Sequence, residues 1–287
     1  MSYVFFAWTA AITSGLIIVI SKLTSKHSIS NPWLFNFLWT LVGVILIVPL
    51  AIMNNASIPT YWVPIIVSAM FGTLFYLFYV LSIYRLDVST IAPLFNFRSI
   101  FAVLLGVFFF RETLSFYQIV LCTVVISAGI FATIDEKINL KSFFNPSIGI
   151  ALFAMAFLAL ANATTKWASQ YNDVWTINLW VGIISLAFVS LTFPLFKKDL
   201  LKVKIFQLWP VGLMGILQTI TNFALTSALA VNVGKTSVIM SIPFSMILAA
   251  LFSVFAPKLL EKHTAKIYAI RFSAAAIMIY GAFQLSQ

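Results

Sequence analysis

Arg98 lies inside "IAPLFNFRSIFAVLLGVFFF" (residues 91–110), a run whose one amide side chain and one charge are Asn96 and the arginine itself. A guanidinium at the centre of a membrane helix costs roughly 2.5–3.5 kcal/mol on insertion scales. Something anionic or richly polar must therefore meet it. The seven acids of the chain are Asp87, Glu112, Asp135, Glu136, Asp173, Asp199 and Glu261. All fall in loops or at the ends of apolar runs, so no carboxylate is placed at that depth. Guanidinium forks onto carboxylate or phosphate through two parallel hydrogen bonds. Arg98 is therefore expected to contact an anionic solute; the competing reading ties it to helix ends or a neighbouring loop.

Other polar side chains interrupt apolar runs and could share that depth. Gln218 and Asn222 are four residues apart, hence on one helical face. Together with Arg98, Asn96, Tyr79, Trp39, Asn162 and Ser241 they are the expected lining of a central solute cavity. Isolated Ser and Thr residues in such runs serve as often to join helices. Lys22 and Lys166 end the first and sixth runs; a gating role competes with ordinary snorkelling of a long cationic side chain. The chemistry of an enzyme is missing. The two histidines, His27 and His263, sit between apolar runs, and there is no HExxH, Ser/His pair or paired carboxylate at depth. The sequence thus predicts a non-enzyme with no cofactor and no metal. Cys122 is the only cysteine, which rules out an intrachain disulfide.

These residues need a scaffold that lives in lipid. Of 287 residues, 62% are hydrophobic and only 8% charged, against the quarter charged typical of soluble domains; mean hydropathy is +1.06. The charge of +10 is carried by short loops between apolar runs, which points to membrane topology rather than nucleic acid. A ruler of about 20 residues per crossing marks ten spans, near 3–21, 33–53, 62–83, 89–110, 115–134, 147–166, 175–195, 206–228, 233–256 and 265–284. The expected fold is an all-α integral membrane protein. Its halves, 1–140 and 141–287, can be laid on each other: Lys22 falls on Lys166, Trp62 and Pro64 on Trp209 and Pro210, and Arg98 opposite Pro243. Five spans per half make the second copy inverted, the architecture of many secondary transporters with a site near the midplane.

"RETLS" (Arg111 to Ser115), its counterpart "LEKHT" (Leu260 to Thr264), Pro243, and the span ends "SAGIF" and "IYGAF" resemble the drug/metabolite transporter superfamily, in particular its EamA-type members. The resemblance implies ten helices in two inverted halves, a cavity lined by spans 1–4 and 6–9, and spans 5 and 10 at the periphery. It also implies that Pro243 bends span 9 and so counts with Lys22 and Lys166 as a gating residue. Arg98 at the aligned place leaves the first half without that bend.

Twelve Lys and Arg residues fall in the odd-numbered loops against Arg111, Lys166 and Lys235 in the others. The positive-inside rule puts the first set in the cytoplasm and both termini outside, whereas the resemblance implies cytoplasmic termini. The expected protein is a multi-pass plasma-membrane transporter, monomer or homodimer, with a small polar solute and the bilayer as its partners. It would export amino acids or other carboxylates by alternating access. The alternatives are an uptake or exchange carrier for sugars or phosphorylated metabolites, or an accessory subunit.

Overall fold

The computed structural model describes residues 3–110, 115–133, 143–232, 236, 239–240, 242–255 and 264–285. Among them every long element is a helix: α1 (Tyr3–His27), α2 (Pro32–Met53), α3 (Trp62–Ile83), α4a (Val88–Leu94), α4b (Phe97–Phe110), α5 (Phe116–Ala132), α6 (Pro146–Ala168), α7 (Val174–Ser190), α8 (Trp209–Val231), α9 (Phe244–Phe255) and α10 (Ala265–Leu285). Five helical stretches, containing α1, α2, α3, α6 and α8, are individually long and apolar enough to cross a membrane. The all-α membrane fold expected from hydropathy is what the chain adopts.

Helix starts are written in local chemistry. The first N–H groups of a helix have no intrahelical acceptor, and lipid offers none. Asn31 accepts from the N–H groups of Trp33 (2.9 Å) and Leu34 (3.3 Å), and Pro32 follows with no N–H to satisfy. Asn145 and Pro146 repeat the device at α6, where Ser147 donates to Asn145 at 2.9 Å. Asp173 caps α7 by accepting from Trp175 (2.8 Å) and Thr176 (3.0 Å). Ser115 and Gln118 form a capping box at α5.

The fourth span is not one helix. Pro93 cannot donate to the carbonyl one turn back, α4a stops at Leu94, and α4b begins at Phe97. The Asn96 side chain donates to the Pro93 carbonyl at 3.0 Å, and every residue of α4a is buried. Irregular backbone at membrane depth persists only where protein covers it or a cavity adjoins it. The second half carries the matching interruption, since residues 242 and 243 are non-helical before α9 starts at Phe244. This corrects the expected alignment. Trp62 and Trp209 open α3 and α8; the same separation carries Phe97 onto Phe244, Asn96 onto Pro243, and Arg98 onto Ser245. Both halves therefore break at equivalent places, one after Pro93 and the other at Pro243.

Packing follows an exchange of helices. α1 packs along α8 and α3 along α6; α2 lies on α7 and α5 on α10; α1 meets α9 as α6 meets α4b. Relabelling first as sixth, third as eighth and fourth as ninth leaves this pattern unchanged. Two rims, at opposite ends of α2, join residues before 140 to residues after 141. At one rim, the amide of Asn31 donates to Asp199 (2.8 Å) and that of Gln207 to the Ser28 carbonyl (3.0 Å). At the other, the N–H groups of Ser57 and Thr60 donate to Thr176 Oγ1 (3.0 Å) and Asn172 Oδ1 (2.9 Å). There the Trp180 indole N–H also donates to the Ser57 carbonyl (2.9 Å). Trp180 thus pins the α2–α3 connection to α7.

α5 approaches α4b closely: a Cβ on Gly129 would lie 2.3 Å from the Phe97 ring. Gly129→Val is expected to lower the melting temperature of purified protein, because overpacking costs about 1–3 kcal/mol and outweighs the roughly 0.5 kcal/mol or less that valine gains over glycine in helix propensity. An unchanged or raised melting temperature would refute that reading of the α4b–α5 contact.

Candidate functional site

The helices enclose a central cavity of about 200 Å³, lined by α1, α2, α3, the α4 interruption, α6, α7 and α8, with Met240 ahead of α9. No residue of α5 or α10 lines it, in keeping with a peripheral position for that pair. Six of the eight expected lining residues come together here: Trp39, Tyr79, Arg98, Asn162, Gln218 and Asn222.

Arg98 is 2% exposed. The α4 interruption positions it, since Phe95 and Arg98 flank the turn and both line the cavity. Among the lining residues described, Arg98 is the one charged side chain, and none is a carboxylate. It also interacts within the protein, so a solute meets a guanidinium that is already held. Around it stands an aromatic group: Trp39 packs edge-on to Tyr76 with centroids 5.2 Å apart, and Phe95 packs edge-on to Tyr79 at 6.0 Å. Elsewhere the lining is amide and hydroxyl. Gln218 donates to Asn222 at 2.5 Å, as the four-residue spacing predicts, and Thr226 contacts Asn178 at 3.4 Å. The Trp39 indole nitrogen and the Asn162 amide nitrogen are buried without a hydrogen-bond partner in the described protein. Buried donors of this kind are ordinarily satisfied. A cavity with one guanidinium, spare donors and aromatic walls suits a small solute with an anionic head and an apolar or planar body.

Asn96 does not line this cavity; it is fully buried and spends its amide on the Pro93 carbonyl. Pro243 lies at the α9 interruption and outside the lining. Ser241 lies outside the described residues, as do Arg111–Leu114 and Leu260–His263 of the two family motifs. Tyr76, Phe95, Thr40 and Asn178 join the lining. The first three lie within a turn of predicted site residues. Asn178 was legible as an amide inside the apolar run of span 7, and the sequence reading missed it.

Lys22 and Lys166 do not line the cavity, and neither snorkels. Lys22 is buried, and its ammonium donates to the carbonyls of Ile83 (3.0 Å) and Leu86 (2.7 Å) at the end of α3. Lys166 donates to the carbonyl of Ala230 at the end of α8. Ile83 and Ala230 are equivalent under the separation that relates α3 to α8. Each lysine therefore caps the C-terminus of the corresponding helix, where unsatisfied carbonyls and the helix dipole favour a cation.

Known proteins agree with this scaffold. Across 98% of its length the chain superposes on 95% of a chain in a solved crystal structure, with a TM-score of 0.65 at 13% identity. That likeness concerns the fold alone. No curated protein matches the sequence. Residues 1–134 match the model of the EamA-like transporter family. That family belongs to the drug/metabolite transporter superfamily, so the first 134 residues are similar to a family of membrane transporters, in agreement with the sequence resemblance.

Proposed function

We propose that the protein is a plasma-membrane exporter of small carboxylates, amino acids among them, working by alternating access. The two five-helix halves, 1–140 and 141–287, would rock about the cavity as an inverted pair, with the interruptions of α4 and α9 as the bending points. Arg98 is assigned the solute's anionic group; Trp39 and Tyr79 its body; Asn162, Gln218 and Asn222 its remaining polar atoms. Lys22 and Lys166 set the relative stability of the two closed rims. The single observation that carries the reading is Arg98, buried beside the cavity as the one charged residue among its described lining residues.

The test is counterflow in proteoliposomes loaded with a mixture of amino acids, with dicarboxylates and phosphorylated sugars in parallel arms. Accumulation of a labelled carboxylate against an unlabelled internal pool is the expected result. Accumulation that occurs equally well for analogues lacking the carboxylate, such as amino-acid amides, would overturn the assignment of Arg98. Movement confined to phosphate esters would keep the anion site and replace the solute class.

A further inference from the structure

The connection between α7 and α8, residues 191–208, is built unlike the other described connections. Phe196 is buried against Phe37 of α2, with ring centroids 5.0 Å apart. Leu200, Val203 and Leu208 pack beside it on the core. Between these anchors the chain turns the opposite way: Leu201 is 90% and Ile205 87% exposed, and Phe206 is exposed as well. Lys197, Lys198, Lys202 and Lys204 are interleaved with them, all exposed. The segment therefore has an inner apolar edge seated on the protein and an outer edge of large apolar side chains alternating with ammonium groups.

Its one acid does not offset this charge outward. Asp199 accepts from Asn31 at 2.8 Å and from Lys202 at 3.3 Å, which holds its carboxyl below the usual carboxylate range. Lys197, Lys198 and Lys204 are left to face outward. The Gln207–Ser28 bond sets the end of α1, with exposed Lys26, beside them.

Water is a poor medium for Leu201, Ile205 and Phe206, and the interior of a bilayer is a poor one for the lysines. The headgroup boundary suits both: apolar side chains enter the acyl region while ammonium groups reach the phosphate plane. Clustered lysines next to a span favour anionic lipid. We propose that residues 197–206 form a docking surface for the headgroups of acidic phospholipid, with Lys197, Lys198 and Lys204 as the charged contacts. Because Asn31–Asp199 and Gln207–Ser28 fasten this same segment to the first half, bound lipid stabilises that rim of the transporter. The assignment rests on charge complementarity and on the interleaved apolar side chains, and does not depend on which solute is carried.

The test uses delipidated full-length protein in neutral detergent, titrated with dioleoylphosphatidylglycerol, dioleoylphosphatidylcholine or inorganic phosphate, with melting temperature as the readout. Phosphatidylglycerol is expected to raise it at concentrations where the other two do not, and 0.5 M salt to weaken the effect. The variant Lys197→Gln/Lys198→Gln/Lys204→Gln changes only exposed side chains and should melt like the native protein without lipid. Its apparent affinity for phosphatidylglycerol should fall by roughly fivefold per lysine removed. The corresponding triple Arg variant should keep the response. Equal stabilisation by the two lipids, or a Gln variant that responds like the native protein, would overturn the proposal. So would free phosphate acting in place of the lipid, which would indicate a small-anion site.

Discussion

Arg98→Ala abolishes concentrative transport of the solute that the counterflow assay identifies, and weakens its binding by about 10- to 150-fold. The range follows from the roughly 1.5–3 kcal/mol of a hydrogen bond to a charged group at 1.4 kcal/mol per decade. Arg98→Lys is the decisive companion. It keeps the charge at the α4 interruption but loses the fork that grips a carboxylate, so binding is expected to fall between the two. Because Arg98 also interacts within the protein, the melting temperature of both variants accompanies the kinetics and separates loss of binding from loss of folding. Native-like transport in a folded Arg98→Ala protein would remove the arginine from the site. Equal loss in both variants at an unchanged melting temperature would confirm that fork geometry, not charge, is what the solute reads.

The second large effect concerns the two capping lysines. Each makes charge-assisted bonds to carbonyls at the end of a helix, worth about 1.5–3 kcal/mol. Removing one should bias the conformational equilibrium by roughly 10- to 150-fold. Lys22→Ala loosens the rim of Asn31 and Asp199; Lys166→Ala loosens the rim of Asn172 and Thr176. In a Cys122→Ser background, cysteines at Thr40 and Leu229 report the two ends of the cavity. Lys22→Ala is expected to speed labelling at 40, and Lys166→Ala at 229. The double variant should restore the native labelling ratio at a lower melting temperature. If each single variant lowers the melting temperature and leaves the ratio alone, the lysines are helix caps with no part in gating.

Hydropathy was a reliable guide where helix ends carry their own chemistry. Span 3 was expected at 62–83 and α3 is Trp62–Ile83, because the breakers of the preceding loop and the Trp at its head mark the membrane edge. It failed where backbone rather than side chain decides. α1 continues to His27 past the predicted end at 21, since Lys22 is absorbed by the α3 terminus and need not leave the protein. The α4 interruption is invisible to a hydropathy window, which scores Pro93 as one mildly apolar residue and cannot register a missing N–H. The same blindness misassigned Asn96: an amide in an apolar run advertises burial, but only coordinates distinguish lining a cavity from repairing a broken helix. Gln218 and Asn222 were legible because two amides one turn apart must share a face.

The two rims have a bearing on turnover. Each is fastened by a few hydrogen bonds among groups at the protein's ends, where water can replace any of them as it opens, and net values near 1 kcal/mol apiece are usual for such bonds. Both sets are formed together here. If the halves alternate as proposed, opening either rim from this doubly fastened state would break a similar number of bonds of similar kind, so neither opening would be strongly favoured and a solute would need to tilt the choice only slightly.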